Sequence, residues 1–185
     1  MITVDTVALV DIYPAADERV LAEAIVRNSG GPATVAAIAL SRLGIKSAIV
    51  GTVGDDEDGW LALDTLKREG VEVFGVNVSE SPTSGSVIVA SKSQSTRAIS
   101  TRQPITQMAP NDHAKKLAAS ADWIHVDHVG INNIAALGIT RGQGTRISFD
   151  AGYGAKNFDV KLVDLFAPND RQMRSEEHTS ELQSH

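Results

Sequence analysis

The sequence contains no cysteine. That absence excludes a disulfide framework and any thiolate metal site, and it fits a reducing compartment, so the cytoplasm is the expected location. No apolar run approaches the ~20 residues of a membrane span. The N-terminus also lacks a basic stretch followed by an apolar one, so no export signal is read. Cations are in the minority: 17 Lys and Arg stand against 23 Asp and Glu, a formal charge of −6. Nucleic acid and anionic membrane are therefore unsuitable partners, since both call for clustered Lys and Arg. What is present is a chain of 185 residues, 42% hydrophobic, able to bury one core.

Strand and helix signals alternate along it. Apolar, β-branched runs occur at "TVDTVALV", "SAIVGTV", "VEVFGVNV", "GSVIVAS", "WIHV" and "TRISF". Helical periods cover residues 33–43, 59–69, 111–119 and 132–141, with Gly44, Gly70 and Gly142 as stops. This alternation predicts an α/β fold, a mostly parallel sheet flanked by helices. Two places break the rhythm. "ERVLAEAIVR" and the pair "GSVIVAS" with "TRAIST" lack crossover helices, so they are expected to form a small antiparallel lid, about residues 12–29 and 84–101. No internal repeat or linker divides the chain, and residues 1–173 read as one partial domain. The first strand reads as though its opening half were missing. The last twelve residues, "RSEEHTSELQSH", carry no apolar period and resemble the translation of a sequencing-adapter oligonucleotide, so 174–185 is expected to be a non-native tail.

Chemistry concentrates where side chains disappear. In "NSGGPATVAAIALSRLG", Gly30 and Gly31 precede a helix of small residues. Bare backbone there can approach a ligand and aim N–H groups and helix dipole at it, or can simply make a tight turn and an N-cap. In "GTVGDDEDGW", Gly54 turns the chain off a strand, Asp55, Asp56 or Asp58 can cap the next helix, and Gly59 opens it. Neither cluster has the spacing of a dinucleotide fingerprint, which leaves little support for a Rossmann-type oxidoreductase. "HVDH" places His125 and Asp127 on one strand face and His128 on the other, with no third convergent ligand, so no metal site is read. Asp150, closing "RISFD", either faces a ligand or caps its turn.

Taken together, "SGGPATVAAIALSRLG", "AIVGTVGDDEDGW" and "LKREGVEV" resemble the N-terminal half of the ribokinase (PfkB) family of sugar and nucleoside kinases. The opening "VDTVALVDIYPAAD" and "WIHVD" are similar to its ketohexokinase members. The resemblance runs from about Val4 to Asn169. It implies a ribokinase-like α/β fold with a β-strand lid, an ATP- and Mg2+-dependent transfer of the γ-phosphate to a sugar hydroxyl, and a possible homodimer through the lid. It further implies that Asp5, at the end of the first strand, accepts hydrogen bonds from sugar hydroxyls, with Asp17 in the lid and the strand-end Asp127 as further sugar contacts. Gly30 and Gly31 would hug the substrate and hinge the lid. Arg97 and Asn169 would serve the phosphate region. The chain departs from the pattern at Pro32 and Val35, where asparagines are usual, and at Gln172, where Glu is usual. The family's base is the Asp of a "GAGD" segment, which this sequence does not contain, so no catalytic residue is assigned and the chain as written is expected to be inactive. A non-catalytic sugar-binding or regulatory remnant of the same fold is the alternative.

Overall fold

Thr3–Val10 forms β1, an eight-residue strand that spans ~26 Å and is buried at both ends, at Thr3, Val4 and Val10. The computed structural model describes residues 1–102, 105, 109–150 and 159–168, which divide into two compact units, Met1–Met108 and Ala109–His185.

In the first unit, β1 is followed by β2 (Ala22–Gly30), α1 (Pro32–Arg42), β3 (Ala48–Gly54), α2 (Glu57–Arg68), β4 (Glu72–Ser79), β5 (Ser84–Ser91) and β6 (Thr96–Thr101). The strands make a four-stranded sheet in the order β2-β1-β5-β6 and a two-stranded sheet β3-β4. β1 runs antiparallel to β2 and parallel to β5, and β5 and β6 form an antiparallel hairpin. The hairpin is the expected one. The first strand, however, belongs to the same sheet, and β2 pairs with it rather than with the hairpin. Asp5 is consequently the third residue of β1, not its last. Residues 18–21 carry no strand; β2 starts at Ala22.

Pro32 occupies the first turn of α1, where its missing N–H costs nothing and its fixed φ suits the helix. Small residues then let α1 lie close to the strands. Ala37 joins Ile2, Val4, Val53 and Leu66 in one buried cluster, so the start of β1, α1, β3 and α2 share a core. Asp56 caps α2 by accepting the Gly59 N–H at 2.8 Å. Glu57 and Asp58 in its first turn and Lys67 and Arg68 in its last complement the helix dipole.

The second unit holds α3 (Asp112–Ser120), β7 (Trp123–Val126), β8 (Arg146–Asp150) and β9 (Leu165–Ala167), with the three strands parallel in the order β7-β8-β9. Its core gathers Val126, Ile131, Ile134 and Ile147 around Phe149, whose ring stacks on Phe166 with centroids 5.6 Å apart. Asp164 fastens β8 from below: it accepts the Ile147 N–H at 2.9 Å and the Arg141 guanidinium at 2.9 Å, and these hold its carboxyl below the usual carboxylate range. Parallel pairings outnumber antiparallel ones across both units, as expected.

The helical period at 132–141 differs from expectation. It forms a 3-10 helix, Ile131–Leu137, and stops at Gly138 rather than Gly142, because Gly138 takes the left-handed conformation at φ 74°. A Cβ there meets nothing within 4 Å, so Gly138→Ala carries only the backbone penalty. We expect a loss of about 1 kcal/mol and a melting temperature lower by roughly 2–4 °C. An unchanged thermal melt would show that this cap contributes nothing.

Candidate functional site

The antiparallel register of β1 and β2 sets Thr3 opposite Gly30 and Asp5 opposite Asn28. Directly paired residues share a face, so Thr3, Asp5, Asn28 and Gly30 all look out from one side of the sheet. Thr3 donates its hydroxyl to Asp5 Oδ2 at 3.2 Å. A Cβ built on Gly30 would overlap that same Oδ2 and stand 3.0 Å from Thr3 Oγ1. The absent side chain of Gly30 is therefore the space that the Asp5 carboxylate fills. The other oxygen, Asp5 Oδ1, is buried and has no hydrogen-bond partner among the described residues. A buried carboxylate oxygen left open is costly unless something else donates to it.

Gly31 adds the second half of the corner. Its φ of 95° with ψ of 145° is a conformation reserved almost wholly for glycine, and a Cβ would come 2.5 Å from the Met1 carbonyl oxygen. It is the N-cap of α1, and no side chain caps that end. The helix thus presents its positive end beside Gly31 without an intramolecular acceptor from a side chain. Val35 is exposed and Pro32 has no donor, so the polar groups of this corner come from strands and backbone.

A second cluster braces the neighbouring turn. Asp56, besides capping α2, accepts the Thr83 N–H at 2.8 Å and the Thr83 hydroxyl at 2.5 Å, while Gly54 N–H donates to Thr83 Oγ1 at 2.8 Å. Burial pushes the Asp56 carboxyl up, but the Thr83 hydroxyl and the Thr83 and Gly59 N–H groups outweigh it and hold the carboxyl below its ordinary range. Of the three acids expected as caps, Asp56 takes the role. Asp58 instead pairs with Arg27.

The remaining expected residues are scattered. Asp17 lies in the exposed turn joining β1 to β2, at φ 61°, at the opposite end of the β1–β2 ladder from Gly30. Arg97 is exposed on β6, in register with Ala90 and, through it, Leu9, again toward that far end. Asp127 belongs to the second unit, follows β7, and is 1% exposed. Its Oδ1 accepts the Val129 N–H at 3.0 Å and the Gly130 N–H at 2.8 Å, which fixes the turn into the 3-10 helix. His125 is paired with Ser148 at 2.9 Å. Asn169, Gln172 and the 174–185 tail lie outside the described residues. Among the described residues no group of three His, Cys, Asp or Glu could hold a metal ion. No described helix is long and apolar enough to cross a membrane.

A cavity of about 510 Å³ opens on the opposite face of the sheet from Asp5, lined by Thr6, Arg27, Asp58, Val87, Ser100 and Arg102. Arg27 and Arg102 both reach Asp58 there, so two guanidiniums share one carboxylate.

The Asp5 carboxylate thus lies against the di-glycine corner at the start of α1. The family model described as pfkB family carbohydrate kinase matches residues 1–141. The chain belongs to the pfkB family. Among curated pfkB-type relatives, it is 26% identical over 175 residues to the ATP-dependent ribose-1-phosphate kinase of Halopiger xanaduensis, an alignment covering 91% of this chain and 59% of that protein. It is 29% identical over 154 residues to the fructokinase of Solanum tuberosum, covering 77% of this chain and 48% of the relative. The structure of Arabidopsis thaliana ribokinase complexed with ribose and ATP superposes with a TM-score of 0.72 at 18% identity, over 93% of this chain and 59% of that one. That likeness establishes the ribokinase-like α/β fold. The chain thus spans between half and three-fifths of the length of these pfkB proteins.

Sequence reading singled out Asp5, Gly30 and Gly31, and the structure brings these three together. It missed Thr3, Asn28 and Thr83. Thr3 and Asn28 were findable, since each lies two residues from a chosen one on the same strand and therefore on the same face. Thr83 was not, because nothing local ties it to Asp56, 27 residues earlier.

Proposed function

We propose that this chain carries the acceptor-binding portion of an ATP-dependent sugar kinase, which transfers the ATP γ-phosphate to a sugar hydroxyl. The single observation that carries the reading is the buried, unpartnered Asp5 Oδ1 beside the Gly30–Gly31 corner. A carboxylate oxygen accepts up to two hydrogen bonds, and charge-assisted ones are the stronger kind, so it suits a polyhydroxylated ligand. Bare backbone at the corner lets a sugar approach closely, and the start of α1 offers it N–H groups. In this scheme Asp5 binds and orients the acceptor and is not the base. Asp17 and Arg97, carried at the lid's far end, are outer contacts by resemblance, and Asp127 keeps the turn it caps. ATP supplies the phosphoryl group and Mg2+ would neutralise its charge; no step on the described residues runs through either.

The same reading places the protein in the cytoplasm, acting on a small sugar rather than on nucleic acid or membrane. It also pairs two copies through the lid: Ile25, Val26, Val87 and Ile99 leave apolar surface exposed on both sides of the β2-β1-β5-β6 sheet. Sedimentation at two concentrations tests that pairing, and a strictly monomeric chain would refute it.

Extending the coding sequence in both directions and screening sugars for ATP consumption tests the activity. On the chain itself, Asp5→Asn keeps the shape but loses the charge. We expect it to weaken sugar binding by about tenfold or more in calorimetric titration, because a charge-assisted hydrogen bond contributes about 1.5–3 kcal/mol. Equal binding by parent and variant would remove the carboxylate from the site. A thermal-shift response to a dinucleotide, with none to sugars, would instead favour an oxidoreductase.

A further inference from the structure

The register puts Asp5, Asn28 and Ser86 on one face of the β2-β1-β5-β6 sheet and Thr6, Arg27, Val87 and Ser100 on the other. That reverse face begins in the core, where Val4 shares a buried cluster with Ala37 and Leu66. Two residues further along β1 it opens into the cavity of about 510 Å³, with Thr6, Val87 and Ser100 among its lining residues. Apolar packing there gives way to a gap. β2 is exposed through its middle and β6 along its whole length, so little packing fixes this part of the sheet.

Charge spans the gap. Asp58, in the first turn of α2, offers Oδ1 to the Arg27 guanidinium and Oδ2 to that of Arg102, 3.9 Å away. Arg27 stands on β2, one edge of the sheet, and Arg102 directly follows β6, the other edge, ~14 Å across. Arg102 is itself well anchored: its backbone N–H donates to the Gly85 carbonyl at 2.8 Å and its guanidinium to the Thr83 carbonyl at 2.9 Å. One carboxylate on α2 thus reaches both margins of the sheet from behind. Asp56 is committed to Thr83 and Gly59, and Glu57 adds a longer-range attraction for Arg27. The Arg27 and Arg102 side chains are 45% and 53% exposed, and pairs so open to water are weak and screened by salt. Such a tie favours one arrangement over another by a few-fold and yields to a modest load.

Resting on the kinase reading for what the Asp5 face binds, we infer that Asp58, Arg27 and Arg102 form an ionic latch that draws the sheet back toward α2 and holds its Asp5 face open. Closing the sheet over a ligand tilts it toward the Asp5 side, which carries Arg27 away from Asp58. Ligand binding therefore works against these pairs, and weakening them favours the closed arrangement. Asp58 touches no ligand in this scheme; it is a positioning residue for the lid.

The chain has no cysteine, so Lys67→Cys on α2 and Gln94→Cys in the β5–β6 turn, both exposed, take two spin labels without competition. Pulsed electron resonance reads their distance distribution, with the labelled chain diluted in unlabelled chain. We expect Asp58→Asn, or about 1 M salt on the parent, to shift and broaden that distribution. Arg27→Gln breaks the same tie from the other side and should do likewise, which keeps the test open if the Asp58 variant folds poorly. Asp64→Asn removes the same charge from the same helix and should change nothing. Distributions in both latch variants identical to that of the parent at low salt overturn the latch. Calorimetric titration with D-fructose and D-ribose then reads its sign. Whichever sugar binds should bind Asp58→Asn about twofold to fivefold more tightly than the parent at low salt, with the difference vanishing near 1 M salt. Equal or weaker binding by the variant overturns the open-holding role. Should neither protein bind a sugar, the kinase reading fails, while the label distances still decide the latch.

Discussion

Gly30→Ala is expected to reduce sugar binding by about a hundredfold or more while the chain remains folded. The new methyl group claims the space now held by Asp5 Oδ2, and the side chain end can swing away at little cost to the backbone. Once displaced, Asp5 loses the Thr3 hydrogen bond and no longer aims Oδ1 at the acceptor. Two charge-assisted bonds at about 1.5 kcal/mol or more each account for the loss. Gly31→Ala should behave in the opposite way. Its clash is with the Met1 carbonyl, which is backbone, and its φ of 95° penalises any side chain. We expect a cost of about 1–3 kcal/mol and a melting temperature lower by roughly 3–10 °C, with affinity changed less than in the Gly30 variant when measured well below the melt. Parallel calorimetry and thermal melts separate the two. Equal affinity in parent and Gly30→Ala would mean that Asp5 is not the ligand's anchor.

Asp56→Ala is the largest expected loss of stability from the residues discussed. It removes the α2 cap and also strands the N–H of the wholly buried Thr83, whose hydroxyl keeps the Gly54 N–H as a partner. A lost cap costs about 1 kcal/mol and each unsatisfied buried group about 1–3 kcal/mol, so about 2–4 kcal/mol is expected in urea unfolding. The carboxyl is held below its ordinary range in the folded chain. Its contribution is therefore fully present above the ordinary carboxylate value and fades as pH falls through the lower folded value. Parent stability should drop across that acid window, and the Asp56→Ala variant should show a shallower drop there. Identical acid profiles would mean that the network does not couple Asp56 ionisation to folding.

The candidate site was partly legible. Gly30 and Gly31 announce a backbone corner, because two adjacent residues without Cβ before a proline-started helix have few other uses. Asp5 was legible as a polar residue in an apolar strand, although its place was misjudged: β1 continues to Val10 because the lid sheet gives it partners on both sides. The lid residues Asp17 and Arg97 were legible only through resemblance, and they lie toward the other end of the ladder from Gly30. The 132–141 helix shortened because Gly138 could adopt a left-handed φ sooner than Gly142.

Local chemistry alone determined the places of α1 and α2 and the glycine corner, since capping, periodicity and the absence of Cβ act over a few residues. Register decided the rest. Whether Asp5 meets Gly30, whether Asn28 and Ser86 flank it, and whether Thr83 completes the Asp56 cap all depend on which strands pair and in what alignment. Those pairings join residues more than 20 positions apart, and a one-residue slip would have turned the strand side chains among them to the other face.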